Sequence, residues 1–201
     1  MVAMIIAVML GLTGQESSAA ENPHYQSIEV QESSCYGTCP GYTITITPDD
    51  RFVLDARRYA RTQGRSEGSL TPGAFRRMVN ILNRAEFEDL AVAASLPDPG
   101  PCPILLSEAT FYVLIAEGPA ATNMMRWRGS CRGTEMADRV IGVRQALKRE
   151  YDYEQLIEPT QKQVWEFNRQ WFEGREGMID PEVLHSIDDL TNMSADEETG
   201  E

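Results

Sequence analysis

Apolar and polar residues alternate at a spacing of two in several stretches of this chain, and that spacing predicts strands. Ile28 and Val30 alternate with Glu29 and Gln31. Tyr42, Ile44 and Ile46 alternate with Thr43, Thr45 and Thr47, the cleanest such run in the sequence. Pro48-Asp49-Asp50 then interrupts, after which Phe52, Leu54 and Ala56 alternate with Val53, Asp55 and Arg57. Two alternating runs about a turn predict a β-hairpin with one apolar face. Gly64 to Gly68 reads as a polar loop. Thr110–Ala116 is apolar on both faces and predicts a central strand, while Thr122–Arg128 sets Asn123, Met125 and Trp127 against Met124, Arg126 and Arg128.

The period changes between these runs. Thr71-Pro72 offers an N-cap and a first-turn proline, after which Phe75, Met78, Val79 and Leu82 recur at three and four, predicting an amphipathic helix to about Arg84. Phe87 and Leu90 pack its exit, and residues 95–103, with four prolines, form a loop. Gly133-Thr134 opens a second helix whose Met136, Val140, Val143, Leu147 and Tyr151 share one face. Pro159 to about Glu173 predicts a third, carrying Trp165, Phe167, Trp171 and Phe172. Asp180-Pro181 caps a short fourth, and residues 191–201 are acidic and expected to be disordered. Strand groups each followed by a helix predict an α+β fold: a mainly antiparallel sheet of about five strands, two packed helices and a helical acidic C-terminal extension.

Composition sharpens the organisation. Of the formal charge of −13, residues 1–149 contribute −1 and residues 150–201 contribute −12, so the acidity belongs to the extension. An acidic chain repels phosphate backbones, which argues against nucleic acid as a partner. Val2–Leu12 is apolar apart from Gly11 and is followed by a polar segment and the small pair Ala19-Ala20, the pattern of a cleaved secretory signal. The expected division is therefore a signal at 1–20, a domain at 21–153, a helical extension at 154–190 and a tail at 191–201. The expected location is periplasmic or secreted, with no stable membrane span after cleavage, the apolar run being too short for one.

Four cysteines, Cys35, Cys39, Cys102 and Cys131, follow the signal. An even count in an exported chain predicts two disulfides, with three connectivities open. Pairing by neighbourhood favours Cys35–Cys39 and Cys102–Cys131. An extended chain would hold the α-carbons of Cys35 and Cys39 ~13 Å apart, beyond the ~7 Å a disulfide spans, so their pairing requires a turn that Gly37 permits. A four-thiolate zinc site is disfavoured because the spacings are C-x3-C and C-x28-C.

The run Cys35-Tyr36-Gly37-Thr38-Cys39-Pro40-Gly41-Tyr42 resembles the C-x-G-x-C-P-x-Y signature of a bacterial family of exported proteins defined only as a domain of unknown function. The resemblance spans about residues 26–150 and is most specific in its first twenty. It implies a small α+β domain outside the cytoplasm and carries over no catalytic residue. The family usually has Asp-Gly at the hairpin turn, where this chain has Asp49-Asp50.

Candidate chemistry is sparse. The two histidines, His24 and His185, stand apart, and His185 beside Asp188 and Asp189 reads as a solvated helix face. No G-x-S-x-G elbow or phosphate-cradling glycine loop is present, and no catalytic residue, metal ligand or cofactor is predicted. Two arginine groups remain: Arg57, Arg58 and Arg61 on the hairpin, and Arg126, Arg128 and Arg132 around Trp127. They are a candidate patch for an anionic ligand or for docking of the acidic extension. The function expected is a non-enzymatic module binding a protein or an envelope component; the alternative is an extracytoplasmic thiol oxidoreductase or hydrolase.

Overall fold

The computed structural model describes residues 25–35, 37–94, 104–105, 110–129 and 131–173, with backbone alone at 104–105 and 171–173. The alternating runs become strands β1 (Ser27–Glu32), β2 (Tyr42–Ile46) and β3 (Arg51–Ala56). A fourth strand, β4 (Gly64–Ser69), replaces the expected polar loop. Its side chains face mostly solvent, so no alternation marks it; its backbone simply completes the free edge of β3, from Ala56↔Gly64 to Arg51↔Ser69. Gly68 is required there, because a β-carbon at that position would stand 2.9 Å from the Phe52 ring.

β5 (Ile104–Leu105) is a two-residue strand, and β6 (Phe111–Glu117) and β7 (Thr122–Arg128) are the two remaining long ones. The main sheet has six strands rather than about five, all antiparallel, in the order β4-β3-β2-β1-β6-β7. β6 is interior, as its apolar character requires. β5 pairs separately with β8 (Cys131–Arg132), Leu105 facing Cys131.

Helices α1 (Ala74–Arg84), α2 (Phe87–Ala94) and α3 (Glu135–Glu150) bury one face of the sheet. Ile28, Val30, Ile44, Ile46, Leu54 and Leu114 from the strands meet Phe75, Met78, Leu82, Phe87 and Leu147 from the helices, all essentially inaccessible. Each such side chain contributes ~1.5–3 kcal/mol by leaving water. Phe87 and Leu90 belong to α2, a separate helix set off by the left-handed Glu86 (φ 50°). Thr134 caps α3 as expected, accepting from the Ala137 N–H.

The start of α1 departs from expectation. Gly73, at φ 80°, takes the N-cap place rather than Thr71 and has no side chain to cap with. Asp50 does that work from the hairpin turn: its carboxylate accepts from the N–H groups of Gly73 (2.6 Å) and Phe75 (2.8 Å). Asp50 itself is left-handed (φ 59°), a conformation Asp tolerates better than most residues. An aspartate where glycine would suit the turn is thus explained by the helix it caps.

The chain beyond α3 folds back through α4 (Tyr153–Leu156) and α5 (Gln161–Glu173). Ile157 is fully buried. Arg61 donates from its backbone to the Ile157 carbonyl, and from its guanidinium to the carbonyls of Glu154 (2.8 Å) and Glu158 (2.9 Å). Gln163 returns a bond to the Arg61 carbonyl, and Phe167 meets the Tyr59 ring edge-on at 5.3 Å. The extension therefore docks on the β3–β4 connection through peptide carbonyls. Among the described residues no ion pair joins its carboxylates to Arg57, Arg58 or Arg61. Trp165 is half-buried and carries Arg169 over its ring at 5.4 Å.

Cys35 and Cys39 are joined, their α-carbons 5.3 Å apart. Cys131 is disulfide-bonded too. Cys102, the signal segment, both histidines, the Trp171 side chain and the acidic tail lie outside the described residues. Among the described residues no helix is long and apolar enough to cross a membrane.

Candidate functional site

The strand registers align five residues in one row across the sheet: Ala56, Tyr42, Glu32, Tyr112 and Trp127, on β3, β2, β1, β6 and β7. All five lie on the helix-covered face and are buried. Glu32 is the exception in kind. It continues the inward series Ile28, Val30, and is only 6% exposed. A buried carboxylate needs partners, and α3 supplies them with two residues one turn apart on the same face. Arg144 grips both oxygens as a fork, Nε to Oε1 at 2.6 Å and Nη2 to Oε2 at 2.7 Å. Lys148 Nζ donates to Oε2 at 3.2 Å.

One acid thus faces two bases. Burial pushes the Glu32 carboxyl up, but the Arg144 hydrogen bonds and the Lys148 charge more than reverse it, leaving its pKa below the ordinary value. Arg144 is held above its ordinary value despite burial, because Glu32 binds it. Lys148 is the second cation: burial lowers it to about 8, the neighbouring Arg144 charge adds to that, and Glu32 and Glu158 only partly compensate. Its ammonium also lies 3.6 Å from the Tyr153 ring centroid.

Aromatic hydroxyls surround this cluster. Tyr42 and Tyr151 hydroxyls bond each other at 2.8 Å, both rings fully buried. Burial, then the Glu32 charge, raises Tyr112 and Tyr153 far above a free phenol. Tyr112 Oη and Trp127 Nε1 are buried and have no hydrogen-bond partner among the described residues. An unpaired buried donor costs ~1–3 kcal/mol, so two in one row call for an explanation.

Both residues line a cleft of about 300 Å³ between the end of this row and α3, at the small end of ligand sites. Glu32 and Arg144 form its charged floor; Cys39 and Pro40, Arg132, and Tyr153 complete the walls. A second groove of about 390 Å³ lies across Tyr153, lined by Lys148, Arg149, Asp152, Glu154 and Glu158. Its charges are mixed and it contains no unpaired buried donor, so the first cleft is the candidate.

The arginines expected to form a patch are divided. Trp127 points into the core, while Arg126 and Arg128 occupy the opposite face of β7 and stack on Phe111, at 4.6 and 5.6 Å. Arg132 alone of its group reaches the cleft. Arg57 and Arg58 are exposed beyond the end of β3, with Arg58 over Tyr59, and Arg61 is engaged with the extension. Glu32, Arg144, Lys148 and Tyr112 were not singled out from sequence. The available signal was a carboxylate at the third inward position of an apolar strand.

Residues 26–104 match a family model described as a domain of unknown function (DUF6438). That span runs from the residue before β1 to the first residue of β5, so it holds Glu32 and the Cys35–Cys39 loop but not β6, β7 or α3. No curated protein matches the chain. The matching segment contributes Glu32, Cys39 and Pro40 to the cleft, and the rest of the lining comes from the chain that follows it, chiefly β6, β7 and α3.

Proposed function

We propose that this chain is an exported, non-enzymatic binding module whose cleft between the Glu32 row and α3 receives a small anionic group. The reading is carried by one observation: two buried donors, Tyr112 Oη and Trp127 Nε1, lack partners among the described residues at a cleft where Arg144 and Arg132 outnumber Glu32. A carboxylate- or phosphate-sized acceptor would satisfy both donors and balance the surplus charge. Binding rather than catalysis is supported by how fully the cleft's titratable groups are committed. Glu32 is forked to Arg144, and Tyr112 and Tyr153 are held far above neutrality. Lys148, held near 8, turns to Glu32 and Tyr153 instead of lining the cleft. Export is supported by bonded cysteines, which persist in oxidising compartments, and by the apolar N-terminal run.

The test is titration of the full chain with acetate, succinate and inorganic phosphate, following the Trp127 indole N–H resonance, assigned with Trp127→Phe. At least one anion should shift that resonance saturably, and Tyr112→Phe should weaken it about tenfold, the weight of one hydrogen bond to a charged group. Unmoved resonances with all three anions would reject the reading.

A further inference from the structure

The Cys35–Cys39 loop is asymmetric in a way that bears on sulfur chemistry. The backbone N–H groups of Gly37 and Cys39 both donate to Cys35 Sγ, at 3.3 Å each. Among the described residues no such donor meets Cys39 Sγ. Cys39 lines the cleft, and both cysteines are half-buried. In thiol–disulfide exchange the sulfur best stabilised as an anion leaves, and its partner is the one attacked. Two converging N–H dipoles favour an anion at Cys35.

We propose that this disulfide is an exchange site for a thiol-bearing partner, attacked at Cys39 and releasing Cys35. A thiolate of the partner bonds to Cys39 Sγ, the Cys35–Cys39 bond breaks, and its electron pair departs on Cys35 Sγ, where the Gly37 and Cys39 N–H groups receive it. A mixed disulfide links the partner to Cys39. If the partner carries a second thiol, that thiol attacks the partner's own bridged sulfur, expelling Cys39 as thiolate. The partner gains a disulfide, Cys35 and Cys39 become two thiols, and the two protons lost by the partner are taken up by them. The step is stoichiometric and requires no other oxidant. It is independent of which anion the cleft binds.

The experiment treats the full-length protein in native buffer with reduced glutathione for short intervals, quenches in acid, and maps the glutathione adduct by mass spectrometry. Glutathione is expected on Cys39. Two variants then isolate the donors: Gly37→Ala keeps the N–H, its new β-carbon lying 3.8 Å from Cys35 Sγ in ordinary contact, and Gly37→Pro removes it. Gly37→Ala should exchange like the parent, and Gly37→Pro should exchange about tenfold more slowly, the effect of one hydrogen bond to a developing anion. Adducts mainly on Cys35, no adduct without denaturant, or equal rates for the alanine and proline variants would each overturn the proposal. The first two readings come from the unmutated protein, so a variant that fails to fold does not shelter it.

Discussion

Replacing Glu32 with glutamine tests the physics of the cleft most directly. The volume is unchanged, and the amide oxygen can still accept from Arg144, but the negative charge is lost. Arg144 and Lys148 are then left side by side without their buried counter-charge, their exposures only 30% and 16%. Breaking a buried ion pair from one side costs ~3–5 kcal/mol. The partial exposure of Arg144 lets water recover some of this, which places the expected loss near the lower end, about 3 kcal/mol. With a urea m-value of ~2 kcal/mol/M, the unfolding midpoint should fall by ~1.5 M at pH 7. Acidity supplies an internal control. The folded-state pKa of Glu32 is lowered from 4.5, so its stabilisation is complete above that value and is lost as pH falls through the lower, folded one. The parent and Glu32→Gln curves should therefore converge in acid, below about pH 4.5. A loss under 1 kcal/mol at pH 7, or a gap that does not narrow as pH falls below about 4.5, would refute the argument that this carboxylate is ionised and neutralises the cluster.

Lys148, lowered from 10.5 to about 8, binds its proton less tightly folded than unfolded, so stability should rise with pH from about 8 until tyrosine ionisation opposes it near 10. Lys148→Met should flatten that rise, which denaturant titrations at several pH values would register. Asp50→Ala should cost ~1–2 kcal/mol by uncapping α1, and amide exchange should quicken first at Gly73 and Phe75. Peptide mapping without reductant should join Cys131 to Cys102, because Cys35 and Cys39 pair with each other and β5 begins two residues after Cys102 opposite β8. Closing that loop of about 30 residues should stabilise by ~3.5 kcal/mol on a chain-entropy account.

The α+β fold was legible wherever burial on one side forced a period. β1, β2, β3 and β7 each alternate because one face meets helices, and α1 and α3 repeat at three and four because they supply the cover. β4 was illegible for the same reason reversed. An edge strand held by backbone bonds, with a glycine beneath Phe52, needs no apolar face and so shows no pattern. The cap on α1 was hidden by distance: Thr71 beside Pro72 satisfies the local rule, yet the acceptor comes from Asp50 in a turn 23 residues earlier.

The cleft lay further from view because it depends on strand order. Glu32, Tyr112 and Trp127 become neighbours only when β6 pairs with β1 on one side and β7 on the other, a crossover that no local spacing encodes. What the sequence did contain was a conflict, an acid placed where Ile28 and Val30 had established the inward face. Such a conflict has two resolutions: the strand ends early and the acid reaches water, or a distant cation comes to meet it. Arg144 and Lys148, one turn apart on α3 and each directly after an inward-facing residue (Val143 and Leu147), impose the second. Glu32 is thereby met by two cations. Two cations on adjacent turns of a helix are ordinary, a second inward acid on the strand would be costly to bury, and in the function proposed above an anion beside Tyr112 and Trp127 supplies the missing charge.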